Sequence, residues 1–127
     1  MVRGIRGATT VKEDREDEIL KETEYMVQQL VKENEVNPED VAQVLITVTD
    51  DISSTFPAKA LRRFPEWKYV PVMCAREIAV PNSLEKCIRI MVTVNSQTPQ
   101  EQINHIYLNN AVQLRPDLLL TDEAKKV

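Results

Sequence analysis

Arg89 is the residue with the most chemistry to offer. It lies in Cys87-Ile88-Arg89-Ile90-Met91-Val92-Thr93-Val94, a run rich in β-branched residues and flanked by turn formers, which reads as a strand. Alternation puts Ile88, Ile90, Val92 and Val94 on one wholly apolar face. Cys87, Arg89, Met91 and Thr93 fall on the other, and Arg89 is the only charge in the run. A guanidinium cannot shed its proton, so a sheltered one needs an anionic or hydrogen-bonding partner. That partner is either a structural carboxylate, the commoner arrangement, or a ligand.

Other cations are spaced to join it. Arg6 stands between Gly4 and Gly7, the only two glycines of the chain. Glycine weakens a strand unless a bulge or a close approach is needed there, although an edge strand with a solvated arginine fits the same spacing. Lys59 and Arg62 are three apart in Pro57-Ala58-Lys59-Ala60-Leu61-Arg62-Arg63, hence on one face of a short helix, as on any solvated surface helix. In the strand around Met73, Cys74 and Ala75, Arg76-Glu77 interrupts an apolar run. Strict alternation sends Cys74 and Glu77 to opposite faces, so a bulge or a subunit boundary must intervene if both line one site.

The chain as a whole narrows the possibilities. Its 127 residues make one domain, 1–127. A net charge of −4 argues against a nucleic-acid surface or an anionic membrane as partner. No apolar run is long enough to span a bilayer, and no signal-peptide core precedes the charges at Arg3 and Arg6. Cys74 and Cys87 form no C-x-x-C and read as free thiols in a reducing cytoplasm. The one histidine, His105, has no Cys/His spacing around it, so no metal site is expected.

The positioning elements follow from periodicity. Met1–Val11 is a first strand. Asp14–Glu35 is the one long helix, with Asp14 as its cap and Ile19, Leu20, Met26, Val27, Leu30 and Val31 facing the core. Val41–Val48 is a second strand, and a loop from Asp50 to Phe56 leads into the helix opened by Pro57. Tyr69–Val80 is a third strand, in which Pro71 implies an edge or a bulge. Thr98-Pro99-Gln100-Glu101 is a capping box opening a short helix, and Ile106–Val112 is the last strand. The fold class is α+β: a five-stranded mixed sheet with one long helix and two short helices. One helix covers one sheet face. The other face is semi-apolar and uncovered, which implies a homo-oligomer, with ring symmetry suitable. Residues 116–127 read as a mobile tail.

These residues also carry a resemblance. Arg3-Gly4-Ile5-Arg6-Gly7-Ala8-Thr9-Thr10-Val11, Phe56-Pro57-Ala58-Lys59-Ala60, Trp67 with Tyr69-Val70-Pro71-Val72, Cys74 and Glu77, Lys86-Cys87-Ile88-Arg89, Tyr107 and Leu114-Arg115-Pro116-Asp117-Leu118 resemble, nearly end to end, the trimeric chorismate mutases of the pseudo-α/β-barrel type. The resemblance implies a homotrimer with sites between subunits and the conversion of chorismate to prephenate, toward phenylalanine and tyrosine. It implies no cofactor. Arg89 would stabilise the ether oxygen and reach a carboxylate, and Glu77 would bind the ring hydroxyl. Arg6 and Tyr107 would hold a carboxylate, and Met73, Cys74, Ala75 and Arg76 would run along the site. Phe56 and Ala58 would form an apolar wall, and Lys59, Arg62 and Arg115 a cationic rim. Leu114 would close over the ligand, and the tail would order on binding. Met73 stands where the family pattern has threonine. Two alternatives are a related trimeric imine deaminase, whose C-terminal strand motif is missing here, and a non-catalytic metabolite-binding protein.

Overall fold

The strand that carries Arg89 lies at the centre of the sheet. The computed structural model describes residues 1–114 and contains, in order, β1 (Val2–Thr10), α1 (Glu16–Asn34), β2 (Val41–Val48), β3 (Val72–Arg76), β4 (Cys87–Asn95) and β5 (Ile106–Tyr107). The strands are arranged β3-β2-β4-β1-β5. β4 runs antiparallel to both neighbours, and the two edge strands lie parallel to theirs, giving the mixed sheet expected.

Hydrophobic alternation fixes which face is buried. Ile5 of β1, Ile46 of β2 and Ile88, Ile90 and Val92 of β4 pack under Ile19, Met26 and Leu30 of α1. Each such fully buried side chain is worth about 1.5–3 kcal/mol relative to exposure. A Cβ on Gly7 would lie 2.9 Å from Ile90 Cγ2 and 3.3 Å from Met26, so this glycine lets strand and helix close together. β1 is flanked on both sides, so the edge-strand alternative does not hold.

Several boundaries differ from expectation. α1 begins at Glu16, and its N-cap position is Arg15, without a side-chain cap. Asp14 does not cap it, because its carboxylate accepts the N–H groups of Ser53 and Ser54 at 3.0–3.1 Å. Both short helices are 3-10 helices, at Pro57–Arg63 and Gln100–Gln102. The first is confined between prolines. In the second the N-cap position is Pro99, and Thr98 provides no cap. β3 spans only Val72–Arg76, since β2 ends at Val48 and offers no partner beyond it. The last strand has two residues: Asn109 turns left-handed (φ 52°), and Asn109–Gln113 is a 3-10 helix.

The second face of the sheet is not covered by α1; the 3-10 helix Asn109–Gln113 packs on its β1–β5 end alone, with Ala111 against Ala8 and Tyr107. The register sets Arg6, Met91, Leu45 and Met73 side by side across β1, β4, β2 and β3. Of these, Leu45 is 43%, Met91 40% and Met73 72% exposed. A neighbouring row contains Tyr107, Ala8, Arg89, Thr47 and Ala75.

Candidate active site

Three of the singled-out side chains meet on that second face. Arg6, Glu77 and Arg89 line a cleft of about 250 Å³ with Leu45, Thr47 and Met91. Arg89 Nη1 lies 3.5 Å from Glu77 Oε1, and both side chains are partly exposed. The carboxylate expected as the bland partner is therefore Glu77, itself a predicted site residue. Glu77 follows β3 and is held there by its N–H donating to Val48 O at 2.8 Å. Its other carboxylate oxygen accepts from the Thr47 hydroxyl. A guanidinium has five N–H donors in a rigid fork, so one ion pair does not exhaust it.

Tyr107 lies in the row of Arg89, packed with Ala8, Ala111, Leu84 and Leu114. Its hydroxyl is buried with no hydrogen-bond partner among the described residues. An unsatisfied buried hydroxyl costs about 1–3 kcal/mol, which an acceptor brought by a ligand would offset.

A second group lies on the helix side of β3. Phe56, Lys59, Cys74, Ala75 and Arg76 line a cleft of about 430 Å³ with residues of the loop before Phe56. Phe56 is exposed, and Lys59 Nζ pairs with Glu16 at 3.2 Å. The nearby Thr55 hydroxyl and the Lys59 ammonium hold the Glu16 carboxyl below its ordinary range. The loop is clamped by Asp14. Slight burial opposes ionisation of that carboxyl, but the bonds from Ser54 and Ser53 outweigh it and lower its pKa. Cys74 faces the core layer in register with Ile46, and β3 contains no bulge. Alternation therefore separates Cys74 from Glu77 as expected. Without a bulge, the two could line one site only across a boundary between copies.

The remaining predictions scatter. Ala58 and Arg62 line a third groove, with Phe64, Trp67 and Lys68, so Arg62 lines a different cleft from Lys59. Arg63 is paired with Glu24 at 2.7 Å, so the cationic face is partly neutralised. Met73 is exposed at the sheet edge. Arg115 and residues 116–127 lie outside the described residues. Both cysteines are free thiols, and burial pushes Cys87 up to about 11. Thr47 was not foreseen. Its polarity in an apolar strand was the only signal, and the register that puts it opposite Arg89 is not written in the sequence.

The chain is similar to known proteins over nearly its whole length. The family model described as chorismate mutase type I matches residues 2–118. The chorismate mutase AroH of Bacillus subtilis (strain 168) is 52% identical over 121 residues, covering 95% of each chain. The chorismate mutase AroH of Thermus thermophilus is 44% identical over 119 residues, covering 93% of this chain and 97% of that one. A solved chorismate mutase from Clostridium thermocellum superposes with a TM-score of 0.83 at 42% identity, covering 85% of this chain and 96% of that one. By profile, by identity along nearly the whole chain and by fold, the protein belongs to the type I chorismate mutase family.

Proposed function

We propose that this protein rearranges chorismate to prephenate, in the cytoplasm, as a homotrimer whose sites form between neighbouring chains. The observation that carries the proposal is the cluster of Arg6, Glu77 and Arg89 on a sheet face left open to a second copy, in a chain of this family.

The reaction is an intramolecular Claisen rearrangement. One ether C–O bond breaks as one C–C bond forms, and no proton has to move. The protein then has two tasks. It must hold a flexible dianion in the folded conformer that brings the reacting carbons together. It must also meet the negative charge growing on the ether oxygen with a donor fixed beforehand. Arg89 suits the second task, because Glu77 and the rigid central strand hold its guanidinium in place. Glu77, oriented by Thr47, accepts from the ring hydroxyl. Arg6 and the Tyr107 hydroxyl, which has no partner among the described residues, take a carboxylate.

Lys59, Phe56 and the Met73–Arg76 edge come from the neighbouring copy. Phe56 supplies an apolar wall, and Lys59 exchanges Glu16 for a substrate carboxylate. Met73, Leu45 and Met91 are the apolar surface such a contact would cover. Met73 offers the ligand its backbone, its side chain having no hydroxyl. Leu114, packed near Tyr107, is placed to close over the ligand.

The test is to mix purified protein with chorismate, follow the loss of its ultraviolet absorbance and identify the product. Prephenate formed without added metal or cofactor supports the proposal. Binding without turnover replaces it with a metabolite-binding role.

A further inference from the structure

We propose that His105 is a positioning residue for Arg6, standing in for a strand acceptor that the fold has diverted. The proposal rests on the reading of Arg6 as a group that holds a substrate carboxylate.

β1 and β5 pair in parallel, with Ala8 opposite Tyr107 and Leu108 N donating to Ala8 O at 2.9 Å. Two residues back on each strand, the same ladder would have Arg6 N–H donate to Asn104 O. In the structure that carbonyl accepts from the helix end instead. Asn34, the last residue of α1, donates to it through Nδ2 at 2.8 Å, and Asn34 Oδ1 accepts Asn104 N–H at 2.9 Å. Asn104 Nδ2 adds a third bond, to Glu33 O at 3.0 Å. The helix end thus holds residue 104 away from the sheet, and β5 begins only at Ile106.

The Arg6 N–H left over donates instead to His105 Nδ1 at 2.9 Å. Nδ1 accepts only when unprotonated, so the neutral ring carries its proton on Nε2. The imidazole therefore fixes β1 at the residue whose guanidinium lines the cleft with Glu77 and Arg89. Next to it, Gly7 presses onto Ile90 and Met26, so the strand is seated from below and tied from the side. Shifting this segment moves the Arg6 side chain relative to Arg89, on which carboxylate capture depends.

The test is steady-state kinetics of His105→Ala, His105→Asn and His105→Gln, each also in an Arg6→Ala background, with melting curves to confirm folding. His105→Ala is expected to raise KM about fivefold to tenfold, the weight of one hydrogen bond, with kcat nearly unchanged. Asn places an acceptor where Nδ1 stands and restores KM, whereas the longer Gln does not. In the Arg6→Ala background His105→Ala adds nothing further, because its effect passes through Arg6. Additive effects, equal rescue by Gln, or an unchanged KM in His105→Ala would overturn the proposal. If Arg6→Ala alone leaves KM unchanged, it is the role of Arg6 that fails, and His105→Ala is then expected to alter only the melting temperature.

Discussion

Two dead variants of this protein should repair one another. Arg89→Ala removes the guanidinium from the cleft on the open sheet face, and Lys59→Glu reverses the charge in the cleft on the helix side of β3. Each is expected to be nearly inactive alone. A lost donor at the developing oxyanion costs about 2.7–4 kcal/mol, or roughly a hundredfold to a thousandfold in rate. An opposed charge at Lys59 repels a dianion. If each site takes Arg89 from one copy and Lys59 from the next, equal amounts of the two chains unfolded and refolded together give mixed rings. A working cleft must draw Arg89 from the chain altered at Lys59, and Lys59 from the chain altered at Arg89. Each condition is met half the time, so about one cleft in four is intact, whatever the ring size. The assay is chorismate turnover by the refolded mixture, against each variant refolded alone and the parent. About a quarter of parental activity is expected. Activity no higher than the mean of the two variants would refute the division of the site between copies.

Other outcomes follow from single contacts. Arg89→Lys should recover little of the activity lost in Arg89→Ala, because one ammonium cannot both pair with Glu77 and reach the ether oxygen; stopped-flow or steady-state turnover reads this directly. Asp14 is held as its carboxylate by Ser54 and Ser53, so its folded pKa lies below the unfolded value of about 3.8. Its contribution is fully present above that value and is lost as pH falls through the lowered one. Asp14→Asn should therefore flatten the acid limb of a melting-temperature profile while lowering stability at neutral pH, and an unchanged acid limb would exclude the clamp. Cys87, buried with its thiol pushed up to about 11, should resist alkylation at neutral pH in the folded protein. Cys74, partly exposed in the second cleft, should react and be protected by prephenate; mass spectrometry of the labelled peptides distinguishes the two.

Much of this molecule could be read before its coordinates were known, and the failures have a common cause. Period-two alternation was enough to sort Ile88, Ile90 and Val92 from Arg89 and Met91, and to expect an uncovered face. It also separated Cys74 from Glu77, which is why the proposed site spans two copies. Strand ends were harder, because a strand stops where its neighbour stops. Nothing local to Glu77 or Ile78 reports that β2 has run out at Val48. Asp14 looked like a helix cap because caps are local, yet its partners Ser53 and Ser54 are roughly forty residues away in sequence. Thr47, Asn34 and His105 share that character. Their roles come from pairing register and from a helix end meeting a turn, which one-dimensional periodicity does not encode. Arg62 shows the opposite limit. Its spacing from Lys59 reads as one helical face, but the two side chains line different clefts.

A structure of the protein with a bicyclic ether dicarboxylate, a stable mimic of the rearranging substrate, tests the central claim most directly. The account predicts a guanidinium nitrogen of Arg89 about 2.7–3.1 Å from the ether oxygen, with Lys59 of a neighbouring copy on a carboxylate. The same mimic bound within one chain, or bound with its ether oxygen turned away from Arg89, would contradict it.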